Sequence, residues 1–311
     1  MNTLIKVLSI LLGFIIISSV NASESGLLLG LRYDTHYDVS ANLSQEKVFV
    51  GTQKPSSYRT FLLRAENGQV NLAAERTNLL VPREDGFWRV DVKHSTYNDF
   101  TEDFVWVNPA PDFDALPNPF LAEQEGINAF DVSLLVKEQG IDTTLGEHCQ
   151  GYTFRDILFM GAQYLSIGYT RSETCRSVFM NASTDSALQM LTLKKLELVE
   201  IATLLGSKGN NSFKQATKDY QNQHSNHQDW GDVSGGIMRH QGQWVIKGHF
   251  PMNEGKYTHF EVPAVAPEEL VSHDTLYPDW ETIKTEVPDA VDAFSSPAKD
   301  VVVVLTGTNS L

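Results

Sequence analysis

One local pattern recurs along this chain: a few apolar residues, a polar turn holding Gly or Pro, then β-branched or aromatic residues. The stretch "NLLVPREDGFWRVDV" (78–92) shows it clearly, with Leu79, Leu80 and Val81 leading into a charged turn that ends at Gly86. In the strand that follows, Trp88, Val90 and Val92 share one face and Phe87, Arg89 and Asp91 the other. That alternation predicts a half-buried strand with a wet side. "YRTFLLRAENGQVNLAA" turns at Asn67-Gly68, a dipeptide suited to a two-residue hairpin because both residues tolerate positive φ. "FRDILFMGAQYLSIGY" turns around Gly161, "GGIMRHQGQWVIKGHF" around Gln241-Gly242, and "VDAFSSPAKDVVVVLTGTNSL" through Ser296-Pro297. Residues 301–305 lack polar alternation and predict a strand covered on both faces. A mixture of singly and doubly covered strands implies a mainly β fold built from repeated antiparallel hairpins.

Two segments interrupt the pattern. Residues 108–148 hold Pro109, Pro111, Pro117 and Pro119, then "AFDVSLLVKEQG", which suits a short helix. Residues 189–230 hold "TLKKLELVEIATLLG", compatible with helix or strand, followed by a polar run without Gly or Pro. There Asn211-Ser212 offers a cap for a helix reaching about Gln223, with Phe213 and Tyr220 as its thin apolar stripe. Both segments read as insertions in a single β-rich domain over residues 23–311.

"AFSSPAKDVVVVLT" resembles the hairpin of β-propeller blades, in which Ser-Pro and an acidic residue turn the chain between inner strands. Here Ser296, Pro297 and Asp300 precede the valine strand, the likeness being centred on residues 295–305. The resemblance implies four-stranded blades around a channel, with ring closure between chain ends. "GLLLGLRY" and the valine strand are the segments that would close the ring. A β-sandwich is the alternative architecture.

The chain begins "MNTLIKVLSILLGFIIISSVNASES". Lys6 precedes a mainly apolar run, and small or aliphatic residues at Val20 and Ala22 suit cleavage after Ala22, so residues 1–22 read as a secretory signal. Removing them leaves 23 basic against 39 acidic residues, a net charge of −16. So acidic a chain repels nucleic acid and anionic bilayers, and no basic patch offsets it. The mature chain is expected to be a soluble monomer in the periplasm or outside the cell, with no membrane span. Long Pro-rich and polar inserts argue against an outer-membrane barrel.

Export also changes how Cys149 and Cys175, the only two cysteines, are read. An oxidising compartment favours a disulfide, worth about 3 kcal/mol for a loop of this length. A thiol nucleophile at Cys149, beside His148 and Glu147, is the competing assignment.

Candidate chemistry is sparse. "HSNHQDWGD" gathers His224, His227, Asp229 and Asp232, residue types that bind zinc or another divalent ion. The H-E-x-x-H arrangement that presets a general base is missing, and a solvated polar loop explains the cluster equally well. No G-x-S-x-G elbow occurs, and "DVSGG" (232–236) reads as a lead into a strand. "NDFTEDFVW" offers Asp99, Glu102 and Asp103 for glycoside chemistry, against the plainer reading of an acidic loop before a buried strand. Phosphate-binding loops are absent, so no cofactor is assigned. Of the tryptophans, Trp88, Trp106 and Trp244 read as core, whereas Trp230 and Trp280 lie beside polar residues and are candidate ligand contacts. The sequence therefore implies an exported, non-enzymatic β scaffold that binds a protein, peptide or glycan through loops. An exported hydrolase using a metal at the 224–232 cluster is the alternative.

Overall fold

The computed structural model describes residues 25–33, 56–66, 68–84, 86–97, 100–113, 148–176, 181–224, 232–251, 257–272 and 275–307. Residues 1–22 and "AFDVSLLVKEQG" lie outside them.

The first sheet contains β1 (Ser25–Tyr33), β2 (Ser57–Glu66) and β3 (Gln69–Arg76), antiparallel and in that order. Next come β4 (Leu79–Arg83), β5 (Gly86–Tyr97), β6 (Phe100–Ala110), β7 (His148–Met160), β8 (Tyr164–Arg176), β9 (Asn181–Thr192) and β10 (Leu198–Val199). They form one seven-stranded sheet in the order β10-β9-β8-β7-β6-β5-β4. Helices α1 (Ile201–Leu204) and α2 (Gly206–Gln223) lead to a second three-stranded sheet, β11 (Ser234–His240), β12 (Gln243–Pro251) and β13 (Tyr257–Glu261). Helix α3 (Trp280–Glu286) and the hairpin β14 (Ala290–Ser295) and β15 (Val302–Thr306) complete the chain.

The predicted hairpins form where their turn residues require. Glu66 pairs with Gln69 around Gly68, whose φ is 74°. Gln241 and Gly242 both take positive φ, 48° and 79°, as a two-residue hairpin turn demands. The protein is mainly β, with antiparallel hairpins and few helices. Propeller blades do not form among the described residues, whose sheets have three, seven, three and two strands. The Ser-Pro turn has a local cause: the Ser296 hydroxyl accepts the Asp300 and Val301 N–H groups and donates to Asp300 Oδ1 at 2.6 Å. Such a turn closes any hairpin, whatever surrounds it. The two segments expected to close a ring do meet, by packing rather than pairing: Leu27, Leu29 and Leu63 share a core with Val301 and Val303. Val302 and Val304 face the other way, into a cluster around Ile283 of α3, so this strand is covered on both sides as its composition predicts.

The seven-stranded sheet is creased. Its only parallel junction, β6 with β7, is three rungs long, from Phe100↔Gly151 to Glu102↔Thr153. In a flat sheet β5 and β9 would stand about 19 Å apart. Here Trp88 of β5 and Thr192 of β9 line one recess, and Arg83 of β4 donates to the Ala162 carbonyl at 2.5 Å. Folding at the junction brings Leu79, Val81, Val90, Val105 and Val107 into one core with Ile157, Leu165, Ile167, Leu191 and Leu193. Trp88 and Val92 join that core, as the alternation predicts, but the opposite face is not uniformly wet, since Arg89 is only 5% exposed.

Candidate functional site

At the crease, strand β7 loses its backbone partner while its outward N–H groups remain. Side chains replace the ladder. Asp103 Oδ2 accepts the Arg155 N–H at 3.2 Å, and the Tyr58 hydroxyl, brought by β2, accepts the Ile157 N–H at 2.8 Å. The Arg155 guanidinium bonds Glu102 Oε1 at 2.9 Å and also donates to the Asp103 carbonyl. Glu102 and Asp103, two of the three carboxylates considered for glycoside chemistry, are therefore committed to holding the fold. Burial, reinforced by the charge on Asp156, pushes the Tyr58 hydroxyl far above its ordinary range. This group of residues seals a crease.

A second polar group lies where β11–β13 packs on β8 and β9. Ser186 Oγ and His249 Nε2 are 3.0 Å apart, a serine–histidine pair by composition. Both are closed off from solvent, at 4% and 2% exposure. Burial, helped by neighbouring His259, holds His249 down at about 4, so the ring is neutral near pH 7. The glycines of "DVSGG" belong to the same packing. A side chain at Gly236 would collide with Ser166 Oγ, and one at Gly235 would meet the Phe213 ring at 2.6 Å. These two glycines lie within β11 and let it pass between β8–β9 and α2.

The predicted site residues scatter. His224 terminates α2, stacked on Tyr220 with ring centroids 4.2 Å apart and its Nδ1 bonded to the Tyr220 carbonyl. His227, Asp229 and Trp230 lie outside the described residues, and Asp232 is exposed just before β11. Among the described residues no group of three metal-ligating side chains converges. Trp280 opens α3 and packs half-buried against the core around Ile283. The α2 stripe is as expected: Phe213 is buried, and Tyr220 stacks on Phe250 and Phe260.

Cys149 and Cys175 sit directly opposite each other on β7 and β8. The Arg155 and Ile157 N–H groups point away from β8 to Asp103 and Tyr58. Alternation along the strand puts Cys149 in that same row, so its pairing with Cys175 is of the non-hydrogen-bonded type. Such pairs have Cα atoms about 4.5 Å apart, within the range a disulfide bridges.

An open recess of roughly 870 Å³ runs beside the start of β12. After β13, Val262 continues the pairing through Ile246, and the Ala264 N–H turns back to the Val262 carbonyl at 2.7 Å. The chain then loops outward through Val265, which is 94% exposed, and returns at Val271, whose N–H bonds the Pro267 carbonyl at 3.0 Å. Trp244, Val245, Val262 and Val271 supply an apolar lining, while Gln243, Glu261, Glu268 and Thr275 supply polar groups. A hydrogen bond from Lys247 holds the Glu261 carboxyl below its ordinary value. Sequence reasoning missed this groove, because three separate segments build it. Its one local signal is "EVPAVAPEEL", where Pro263 and Pro267 exclude both helix and central strand around exposed small apolar residues.

No helix of the described residues is long and apolar enough to cross a membrane. No protein-family model matches the chain, and no curated protein matches it. Among solved structures, a DUF3298 family protein from Pseudomonas aeruginosa PAO1 is 8% identical, with a TM-score of 0.33 over 60% of this chain and 94% of that chain. So distant a likeness carries no argument about either fold or function.

Proposed function

We propose that this protein is an exported, non-enzymatic β scaffold that holds an extended peptide segment of a partner protein in the groove beside Trp244. The observation that carries this reading is the groove itself, an open channel of roughly 870 Å³ with apolar lining and carboxylates at its edge. Peptide is favoured over glycan because the Trp244 ring is already engaged by other side chains. Arg239 lies 5.0 Å from its ring centroid and Phe159 meets it edge-on at 5.0 Å. Small aliphatic side chains instead match the Ala264, Val265 and Ala266 wall. Glu268 and the chain's net charge of −15 favour a basic segment. The serine–histidine pair and the crease carboxylates are engaged in packing, which supports binding over hydrolysis.

A random peptide library selected against the purified mature chain tests this. The expected outcome is enrichment of sequences combining Lys or Arg with small apolar residues, whose binding weakens at least tenfold on Val265→Asp or Glu268→Lys. Both positions are exposed, so neither change threatens folding. Enriched peptides indifferent to both substitutions would remove the groove from the proposal. Stoichiometric zinc with metal-dependent turnover, lost on His224→Ala and His227→Ala, would replace binding with hydrolysis.

A further inference from the structure

Folding the large sheet at β6–β7 brings its two halves together, and a recess lies between these lips. Roughly 270 Å³ in volume, it is lined by Arg83 and Trp88 from one lip and by Gln163, Tyr164, Thr192 and Lys194 from the other. Its charged lining is entirely cationic in a chain whose net charge is −15. Neither cation is spent on a carboxylate among the described residues; the Arg83 guanidinium is anchored by one bond, Nη1 to the Ala162 carbonyl at 2.5 Å. That bond uses one of five guanidinium N–H donors and steadies the group across the lip.

We infer that this lip recess binds a small ring bearing a single anionic group, the chemistry of a sugar acid. The two cations match one carboxylate, which guanidinium and ammonium groups hold by charge-assisted hydrogen bonds. Trp88 and Tyr164, both half-buried, give the recess flat apolar wall suited to the C–H face of a ring. The Gln163 amide adds a donor and an acceptor for hydroxyl groups. The volume admits about one ring, below the range of drug-sized pockets, so the ligand is a monosaccharide or the end of a chain. Both cations are exposed, so binding is weak and falls as salt rises.

The test is titration of the isotopically labelled mature chain with D-glucuronate, D-glucose and inorganic phosphate, following the indole N–H of Trp88 and the amides around Tyr164 by NMR. Saturable shifts with glucuronate, at least tenfold weaker with glucose and weakened about tenfold by Lys194→Gln, are expected. Arg83→Gln is expected to do the same. Because Arg83 also bridges the lips, Lys194→Gln decides the matter if Arg83→Gln loosens the fold. The inference is overturned if glucuronate causes no saturable shift, if glucose binds equally well, if phosphate binds more tightly, or if Lys194→Gln leaves glucuronate binding unchanged. A groove shown not to bind peptides would leave this result untouched, since different strands build the two recesses.

Discussion

The crease and the lips of the large sheet hold the same kinds of side chain and put them to opposite uses. At the crease, Arg155 is 8% exposed and Asp103 2%, and each answers a hydrogen-bonding need left by the interrupted ladder. At the lips, Arg83 and Lys194 are exposed and face a recess. A buried ion pair must be fully matched or it destabilises, so nothing there is spare for a ligand. An exposed cation contributes little to stability and is correspondingly available. Burial, more than residue type, separates the structural charges from the functional ones.

The comparison is broken most directly at the crease. Asp103→Ala removes the carboxylate that accepts the Arg155 N–H and leaves that buried donor without its partner, while the guanidinium keeps Glu102 and the residue-103 carbonyl. The expected loss in urea unfolding is about 3 kcal/mol, the upper end for a buried N–H that loses a charged acceptor. A loss below about 1 kcal/mol would mean that water already reaches the crease and that the sheet is not closed there.

Cysteine tests the same region from its far end. If Cys149 and Cys175 are bonded, the link pins β7 to β8 two residues before the parallel junction begins at Gly151. Cys149→Ser with Cys175→Ser should then cost about 3 kcal/mol. Thiol counting on the chain purified under non-reducing conditions should find no free thiol before reduction and two after it. Free thiols in the unreduced chain would remove the bond from the scheme.

His249 extends the comparison to pH. Its folded pKa, about 4, lies below the ordinary 6.5, so between those values the unfolded chain binds the proton more strongly. Stability is therefore unaffected above about pH 6.5, declines as pH falls through this window, and stops declining from this source below about pH 4. Between pH 7 and pH 5 the contribution is about 2 kcal/mol. His259, also lowered by burial and by Lys247, acts with the same sign. His249→Gln should flatten the curve over that interval, whatever its starting stability. A variant whose slope matches the parent's would show that His249 is not sealed against Ser186.

How much of this was legible in the sequence depends on how locally each feature is encoded. Hairpins were readable because Gly68, Gly242 and Ser296 carry their turn chemistry within a few residues. The helix start was not: α2 begins at Gly206 with no side-chain cap, and Asn211 and Ser212, which look like a cap, lie inside it. Alternation placed Trp88, Val90 and Val92 on one face but could not say what covers Arg89 on the other. The crease depends on residues 52 or more positions apart, such as Tyr58 with Ile157 at a separation of 99, and sequence spacing carries no trace of such a meeting. Both recesses fall in this class.

The smallest expected effect is at the lips, and it sharpens the contrast most. Arg83→Met keeps an unbranched stem, removes the charge, and deletes one exposed bond to the Ala162 carbonyl. An exposed hydrogen bond or ion contact is worth about 0–1 kcal/mol, because water replaces it. The variant should therefore unfold within about 1 kcal/mol of the parent, against about 3 kcal/mol for Asp103→Ala. The core formed by Val81, Val90, Leu165 and Leu191 already holds the two halves together, so the lips need no bridge. A loss of 2 kcal/mol or more on Arg83→Met would make Arg83 a clasp like Arg155, erase the distinction between crease and lips, and leave Lys194 as the recess's one available cation.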